Sequence, residues 1–235
     1  MNLPPPDADL EARFPHRHDR AFAYLKRLLF DGGLEPDEVI STEDVARALK
    51  ISRAPVTDAI KRLVRDGFLT VMPQVGCRIC APQPTEVADF YRLFAKSEAV
   101  IIGLAAQRRT ASQAAALKSA TAEFDRQYRT LRSRGAPGPE FRALNRMRYE
   151  AIHDLAASRI AGELVANMWD RSDFYIRVAY GEFVYGSKVH ESNQKICRAI
   201  ITGDMAAAVK ETESYLCRVG KQTSKKLAAQ SGVAG

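Results

Sequence analysis

The chain has 235 residues, 46% of them apolar and 27% charged, a balance typical of a globular protein with room for two ordinary domains. No apolar run approaches the roughly 18 residues of a membrane span, and the N-terminal segment has no apolar signal-peptide core, so we expect a cytoplasmic protein without membrane contact. The formal charge of +7 does not locate a nucleic-acid site, because residues 1–80 hold twelve Lys and Arg against twelve Asp and Glu.

The four cysteines are scattered along the chain, at Cys77, Cys80, Cys197 and Cys217. In a chain without an export signal, we expect reduced thiols rather than a disulfide framework. Cys77 and Cys80 have the spacing of half a zinc site, but no second pair follows at a usable distance. A zinc site at this place would therefore be incomplete.

Two short helices are predicted near the N-terminus. Apolar residues at positions 21–30 fit a first helix, and the segment 32–36, which contains Glu35 and Pro36, stops it. Residues 41–44 resemble a capping box, and the apolar residues that follow supply the buried stripe of a second helix that ends near Lys50.

A third helix and a hairpin complete this region. From Val56 onward, apolar residues recur at i, i+3, i+4, i+7 and i+8, which turns Arg53, Thr57 and Lys61 outward. Strand-like residues at 68–71 and 77–79 then flank a turn. The second and third helices, followed by the hairpin, predict a winged helix-turn-helix. Its recognition helix, the third, fits the major groove of DNA.

The segment 51–63, followed by Asp66-Gly67-Phe68-Leu69, resembles the recognition region of GntR-family transcription regulators. The resemblance covers about sixty residues. Family members generally carry the residues found here as Arg53, Pro55, Val56 and the wing glycine Gly76. The resemblance therefore implies a regulator that binds operator DNA.

The same region departs from the family pattern at several basic positions. The family usually has Arg at the positions of Val39 and Thr57 and basic residues at Gln74 and Val75. Each phosphate that a protein neutralises adds about 0.9 to the steepness with which the logarithm of the binding constant falls against the logarithm of the salt concentration. Because this chain lacks several of these basic residues, we expect DNA binding to be weaker and less dependent on salt. We hypothesise a variant half-site in which Arg53 still contacts a guanine and Thr57 makes an apolar contact or one hydrogen bond.

The predicted DNA contacts lie on the second helix, the recognition helix and the wing. They are Ser41, Thr42, Ser52, Arg53, Ala54, Pro55, Thr57, Lys61, Arg62, Gly76 and Arg78. Winged helices also mediate protein-protein contacts, and an acidic Asp58 on the exposed face would suit that alternative.

Proline positions divide the chain. All eleven prolines lie at or before Pro139, and apolar residues in the remainder recur at helical spacing, which predicts a helical bundle. Pro82 and Pro84 indicate a stiff connector. We expect a flexible tail at 1–18, the winged helix-turn-helix at 19–80, a linker at 81–85, a helical effector-binding and dimerisation domain at 86–226, and a tail at 227–235.

Predicted breaks at 107–111, 133–139, 158–162, 181–187 and 203–204 cut the bundle into six helices. The fold is therefore expected to be mainly α, an N-terminal winged helix-turn-helix followed by an all-α antiparallel bundle of six or seven helices. The stretches 98–106 and 197–204 resemble the FadR-type, or FCD, domain. In that family the bundle is usually a dimer-competent effector domain, often with a metal held by one Asp and three His and with an Arg that grips a carboxylate effector.

The family's ligand positions are occupied by other residue types here. The metal Asp falls on Asn145, the three His fall on Tyr149, Asn193 and Tyr215, and the effector Arg falls on Phe94. Neutral Asn and Tyr are poor partners for a divalent ion, so the comparison predicts no metal and no other cofactor.

Neither a shifted register nor a second motif restores a metal site. A slip that places Tyr149 and His153 over the Asp-His pair still lacks the acid, and Glu150 with His153 lacks the second Glu-x-x-His of a di-iron bundle. We expect His153 and His190 to be surface or hydrogen-bonded histidines, and the aromatic run at 169–185 to be core or dimer contact.

Two interpretations stay open for the five positions that match the family's ligands, which are Phe94, Asn145, Tyr149, Asn193 and Tyr215. They could form an effector pocket for a ligand that is less acidic, larger or more apolar than the small carboxylates common in the family. Alternatively, the cavity has collapsed into a core of satisfied polar groups and binds nothing.

The sequence thus predicts a homodimeric repressor that binds a palindromic double-stranded operator and responds to a small-molecule effector without a bound metal. No Ser-His-Asp arrangement, Gly-rich phosphate loop or metal cluster supports an enzyme. The alternatives are a ligand-free constitutive or architectural DNA binder and a winged-helix docking protein.

Overall fold

The computed structural model of the protein describes residues 3–34, 38–73, 75–230 and 232. Glu35 and Pro36 of the expected helix stop and Gln74 of the expected hairpin turn lie outside the described residues. The chain divides into two units, Met1–Ala81 and Pro82–Gly235.

The N-terminal unit contains, within its described residues, four helices and one antiparallel sheet. The helices are α1 (Leu10–Arg13), α2 (Arg17–Asp31), α3 (Thr42–Leu49) and α4 (Arg53–Arg65), and the strands are β1 (Val39–Ile40), β2 (Leu69–Met72) and β3 (Gly76–Ile79). The strand order is β1-β3-β2, so β3 lies in the middle. This is the predicted winged helix-turn-helix, with β2 and β3 as the wing.

The core of this unit lies between α2 and α4. Leu25 and Leu29 of α2 and Val56 and Leu63 of α4 are fully buried. Each such side chain contributes about 1.5–3 kcal/mol relative to its exposed state. The predicted apolar stripe of α4 therefore faces the core and leaves the opposite face of the helix to solvent.

The sequence analysis predicted the hairpin but not β1, which is too short to show strand periodicity. Ile40 of β1 pairs with Cys77 of β3. At Gly76, with φ at 146°, an added Cβ would lie 2.5 Å from the carbonyl oxygen of Ile40. Only glycine lets the two strands approach this closely.

Part of the expected tail at 1–18 contacts α2, and its last two residues belong to that helix. The Tyr24 hydroxyl donates to the carbonyl of Pro4, and Arg27 forms an ion pair with Asp7. α1 lies within this segment, and α2 begins at Arg17 rather than in the predicted 21–30. The first turn of α2 is polar, so apolar periodicity gives no signal for it.

The C-terminal unit consists, in its described part, of six helices. They are α5 (Pro84–Arg108), α6 (Ala111–Ser133), α7 (Gly138–Leu155), α8 (Arg159–Tyr180), α9 (Ser187–Thr202) and α10 (Met205–Gln230). The predicted six-helix layout is confirmed. In residues 3–34, 38–73 and 75–230, no helix is both long and apolar enough to cross a membrane.

Most of the predicted breaks coincide with helix boundaries. α9 ends at Thr202, and the next residue, Gly203, lies in the left-handed region with φ at 78°. Asp204 Oδ1 accepts the Ala207 N–H at 2.9 Å. The break expected at 158–162 comes earlier, because α7 ends at Leu155 and Gly162 lies inside α8.

The two ends of this unit are more helical than expected. α5 begins at Pro84, inside the predicted linker, because proline fits the first turn of a helix. α10 extends to Gln230 with Leu227 buried, so the predicted tail at 227–235 begins within a helix.

Candidate functional site

One face of α4, from Arg53 to Lys61, is polar and open to solvent. The side chains of Arg53 and Lys61 are 69% and 74% exposed, Ala54 is exposed, and Thr57 is half-buried. The Thr57 hydroxyl donates to the carbonyl of Arg53 at 3.1 Å, so its oxygen remains as an acceptor. This face has a cation near each end and small side chains between them, and the major groove of DNA is wide enough to admit an α-helix with such a face.

An ion pair that the sequence analysis missed joins α3 to α4. Nη2 of Arg53 lies 2.9 Å from Oε2 of Glu43. An exposed pair of this kind contributes only about 0–1 kcal/mol to stability. It does orient the guanidinium, whose remaining N–H groups can still donate to a base.

The N-terminal end of α3 uses its polar side chains internally. The Ser41 hydroxyl accepts the Asp44 N–H at 3.0 Å and donates to Asp44 Oδ2 at 2.7 Å, which lowers the pKa of Asp44. Ser41 is thus a helix cap here. Thr42 is half-buried, and Ser52 is exposed at the start of α4.

Two further predicted contacts, Arg62 and Pro55, lie within α4. The guanidinium of Arg62 lies 3.8 Å from the ring centroid of Phe22 on α2, a cation–π contact that directs this cation toward α2. Pro55 is half-buried in the first turn of α4, where its fixed φ suits the helix.

The wing is mostly apolar. Arg78 is its one basic residue and is exposed, while Val71 and Val75 are 56% and 57% exposed. Gly76 sets the spacing between β1 and β3, so its structural role is established independently of any DNA contact. Contact of all these residues with DNA stays a prediction.

Three of the five predicted pocket residues form one hydrogen-bond network in the bundle. The Tyr149 hydroxyl donates to Asn193 Oδ1 at 2.8 Å, and Asn193 Nδ2 donates to Asn145 Oδ1 at 3.1 Å. Burial raises the pKa of Tyr149 well above its ordinary value, so the phenol stays neutral. These neutral groups satisfy one another and do not fit a divalent metal.

No other part of the described chain offers a better set of metal ligands. Within residues 3–34, 38–73, 75–230 and 232, no group of three or more His, Cys, Asp or Glu side chains could hold a metal ion. His153 is hydrogen-bonded to the buried Glu98 at 2.9 Å, and Glu98 also accepts from Trp169 at 3.1 Å. His190 stacks on Tyr128 with ring centroids 3.7 Å apart.

A cavity of about 340 Å³ lies between α7, α8, α9 and α10. Asn145 and Tyr215 line it, whereas Phe94, Tyr149 and Asn193 do not. Phe94 is fully buried beside Trp169, with ring centroids 5.1 Å apart. The five predicted positions therefore do not form a single pocket.

The aromatic run that the sequence analysis assigned to core or dimer contact supplies much of the cavity wall. Trp169, Tyr180, Phe183 and Tyr185 all line it. Aromatic residues on one helix and the loop after it look the same in sequence whether they face a core or a cavity. Only the arrangement of α8 against α9 and α10 distinguishes these cases.

Charged side chains approach the same cavity. Asp173 lines it and lies 3.4 Å from Nε of Arg146, and Arg218 lines it and donates to Ser192 Oγ at 2.6 Å. Behind the wall, Arg148 is 2% exposed and donates to the Tyr185 hydroxyl at 2.6 Å.

Comparison with protein families gives two matches. A family described as bacterial regulatory proteins, gntR family, matches residues 17–79, and the FCD domain matches residues 90–217, more than half of the chain.

Curated relatives align over part of their length. The Nta operon transcriptional regulator of Aminobacter aminovorans is 34% identical over 90 residues, 38% of this chain and 43% of the relative. The uncharacterized HTH-type transcriptional regulator YdhC of Bacillus subtilis is 23% identical over 150 residues, 64% of this chain and 65% of the relative. The chain thus spans less than two thirds of these relatives.

Solved structures share the fold. E. coli McbR/YncC superposes with a TM-score of 0.69 at 19% identity, covering 92% of this chain and 99% of that chain. A structural-genomics target of the GntR type from Rhodococcus sp. RHA1 gives a TM-score of 0.70 at 20% identity, covering 88% and 97%. At these identities the likeness concerns the fold alone.

Proposed function

The chain belongs to the gntR family of bacterial regulatory proteins and carries an FCD domain, and from this premise we propose that it is a DNA-binding transcription regulator. It binds a palindromic operator as a homodimer, represses transcription, and responds to a small molecule held in the C-terminal bundle without a metal. The outward face of α4, with Arg53 held by Glu43, carries the proposal.

The chemistry of α4 supports base reading. Arg53 at its N-terminal end can donate two parallel hydrogen bonds to O6 and N7 of a guanine, while Thr57 accepts one hydrogen bond or packs on a methyl group. Lys61 and Arg62 lie farther along the helix, where they meet phosphates. A twofold dimer places two such helices on the two halves of a palindrome.

The cavity in the bundle supports an effector role. A ligand that binds one dimer geometry better than another shifts the population toward it. We propose that the occupied cavity favours the geometry in which the two recognition helices no longer match the half-sites. A ligand with equal affinity for both geometries would leave DNA binding unchanged.

The test is fluorescence anisotropy with the duplex upstream of the protein's own gene and with random duplex of equal length. We expect a preference of about 10³ or more for the upstream duplex. Arg53→Ala should reduce that preference by about 10- to 100-fold, because one good guanine contact discriminates by about 1–3 kcal/mol. Arg92→Ala, which removes an exposed arginine of α5, is the control and should bind as wild type.

One observation favours a second function. Val71 and Val75 on the wing are exposed, and Asp58 on α4 is 71% exposed, features that suit docking to a protein. If wild type and Arg53→Ala bind both duplexes equally at every salt concentration, docking or a ligand-free architectural role replaces the regulator.

A further inference from the structure

Residues 3–11, which we call the strap, are held against α2 by acidic side chains. The carboxylate of Asp7 pairs with Arg27, and Oε1 of Glu11 lies 2.7 Å from Nη1 of Arg20. The side chains of Asp7 and Glu11 are 40% and 79% exposed, so salt screens both ion pairs. Two acids of the strap thus neutralise two cations of α2 through contacts that salt weakens.

The face of α2 beneath the strap is basic, with an aromatic residue at its centre. Arg20, Tyr24 and Arg27, which we call the α2 stripe, are spaced i, i+4 and i+7 and so share one side of the helix. Tyr24 is fully buried, and the side chains of Arg20 and Arg27 are 12% and 25% exposed. The Tyr24 hydroxyl donates to the Pro4 carbonyl, and Arg27 Nη2 donates to the Pro5 carbonyl at 2.6 Å.

The strap offers the α2 stripe oxygen acceptors of the kind that a DNA backbone offers. Arginine and tyrosine side chains are regular donors to phosphate oxygens, and negative charge strengthens such hydrogen bonds. A basic and aromatic stripe that is covered by two acids of its own chain therefore resembles a phosphate-binding surface that is already occupied.

Little apolar packing holds the strap in place. Of residues 3–11, only Leu10 is buried, while Pro4 and Pro5 are exposed. A cavity of about 870 Å³ lies between the strap and the C-terminal end of α3. Because segments with few buried apolar contacts open at low free-energy cost, the strap can leave α2 while the core between α2 and α4 stays packed.

One end of the α2 stripe adjoins the proposed DNA face. Arg20 lines the cavity beside the strap, together with Lys50 at the end of α3. Lys50 is exposed and lies three residues before Arg53, in the turn that leads into the recognition helix. The α2 stripe therefore continues the surface that the phosphates of a bound duplex can reach.

We propose that the α2 stripe is a second phosphate-binding surface for duplex DNA and that the strap is its internal competitor. With the strap in place, Asp7 and Glu11 occupy the two guanidinium groups. When the strap is displaced, Arg20, Tyr24 and Arg27 donate to phosphate oxygens beside the recognition helix. Naming duplex DNA as the occupant rests on the proposed function, whereas release of the strap by salt does not.

The DNA test uses a strap variant, Asp7→Asn with Glu11→Gln, and a control variant, Asp9→Asn with Asp19→Asn. Both lose two acids, but those of the control form ion pairs with residues one to four positions away instead of with the α2 stripe. Anisotropy titrations of random duplex at several salt concentrations should give the strap variant a salt slope steeper by about 0.9 for each phosphate gained, up to about two. The control should keep the wild-type slope.

A second substitution assigns the gain to the α2 stripe. Adding Arg27→Gln to the strap variant should remove about 0.9 of the slope, because one phosphate contact is lost. Adding Arg92→Gln, an exposed arginine of α5, should not. Equal slopes in the folded strap and control variants overturn the proposal, because bulk charge then explains the gain. A gain that Arg27→Gln leaves undiminished also overturns it.

Hydrogen exchange on the wild type tests the competitor without any substitution. The amides of Arg13 and Phe14 donate to the carbonyls of Asp9 and Leu10. A helix as short as α1 does not persist alone, so these amides should exchange faster once the strap leaves α2. Raising the salt from about 0.05 to 0.5 M should therefore speed their exchange but not that of amides in the middle of α4.

The duplex itself should have the same effect on the strap. Saturating random duplex at about 50 mM salt should speed exchange of these amides, although DNA protects the surfaces that it covers. Unchanged or slower exchange in the strap, with either salt or DNA, overturns the competitor role. Specific operator binding in that case leaves the proposed function intact. If no duplex binds any variant, the proposed function fails, and the α2 stripe loses its DNA role with it.

Discussion

In the proposed DNA complex, Glu43 would influence the specificity of the recognition helix from outside it. The Glu43 carboxylate lies 2.9 Å from Arg53 and would compete with DNA for the same guanidinium. It would also add negative charge near the phosphates, which disfavours any complex that lacks a compensating base contact.

Glu43→Gln should therefore strengthen binding to random duplex and lower the ratio of operator to random affinity by roughly fivefold, about 1 kcal/mol. Anisotropy titrations on both duplexes measure this ratio. Glu163→Gln removes a similar exposed ion pair, with Arg159 in α8, and should leave the ratio unchanged. A ratio that rises in Glu43→Gln would mean that the ion pair does not orient Arg53.

His190 links stability to pH. Burial lowers the pKa of its ring and the Arg148 guanidinium lowers it further, while Asp125 opposes both. The folded pKa is thus below the unfolded value of about 6.5, so on acidification the unfolded chain takes up the proton first. The contribution of His190 to stability is present above the unfolded pKa and is lost as the pH falls through the folded one.

The melting temperature of the wild type should therefore fall more than that of His190→Gln between about pH 7.5 and pH 5. Differential scanning calorimetry at several pH values gives the two slopes. His18→Gln, at a position that is 64% exposed, should follow the wild-type slope. Parallel slopes for wild type and His190→Gln would contradict the shift.

At the scale of elements, the wing depends on how closely β1 and β3 approach. The sheet pairs Ile40 with Cys77, and a side chain at Gly76 would meet the Ile40 carbonyl. β1 has only two residues, so it cannot compensate for a lost pairing. The wing and the turn before α3 are therefore stabilised together.

We expect Gly76→Ala to destabilise the protein by about 1–3 kcal/mol, because φ of 146° is unfavourable for alanine and the carbonyl must move. Urea titration gives the change in the free energy of unfolding. Gly162→Ala is the matched control, since its added Cβ meets nothing within 4 Å inside α8, and it should be neutral or stabilising by up to about 1 kcal/mol. A Gly76→Ala protein as stable as wild type would show that the strands can separate freely.

For the whole molecule, the proposed dimer needs a self-complementary surface. Leu93 and Val100, 59% and 60% exposed, lie seven residues apart on α5 and so share one face of that helix. Large exposed apolar residues on one helix face are typical of an interface.

Leu93→Glu with Val100→Glu should convert a dimer of twice 26.0 kDa into a monomer in light-scattering chromatography, because the charges would be buried without partners. Operator affinity should fall at least about tenfold, since one recognition helix replaces two linked ones. Ala115→Glu with Ser119→Glu, exposed positions of α6 without a large apolar side chain, controls for added charge and should remain dimeric. A dimeric Leu93/Val100 variant would place the interface elsewhere.

The sequence by itself determined the winged helix-turn-helix, the six-helix bundle and the outward face of α4. These follow from local signals: apolar spacing, a cap at Ser41, and the break at Gly203 depend only on neighbours along the chain. The sequence also shows that the family's metal-ligand positions carry other residue types here, namely Asn145, Tyr149, Asn193 and Tyr215. This needs no structure, because residue identity alone decides ligand chemistry.

Tertiary structure alone decided which side chains meet across helices. It brought Glu43 to Arg53, ordered the segment before α2 against Tyr24, and divided the five predicted pocket positions between a hydrogen-bond network, a cavity wall and the core. It also placed the Tyr185 hydroxyl between Arg148 and Asn193. Such contacts depend on the distances and rotations of packed helices, which periodicity along one helix does not specify.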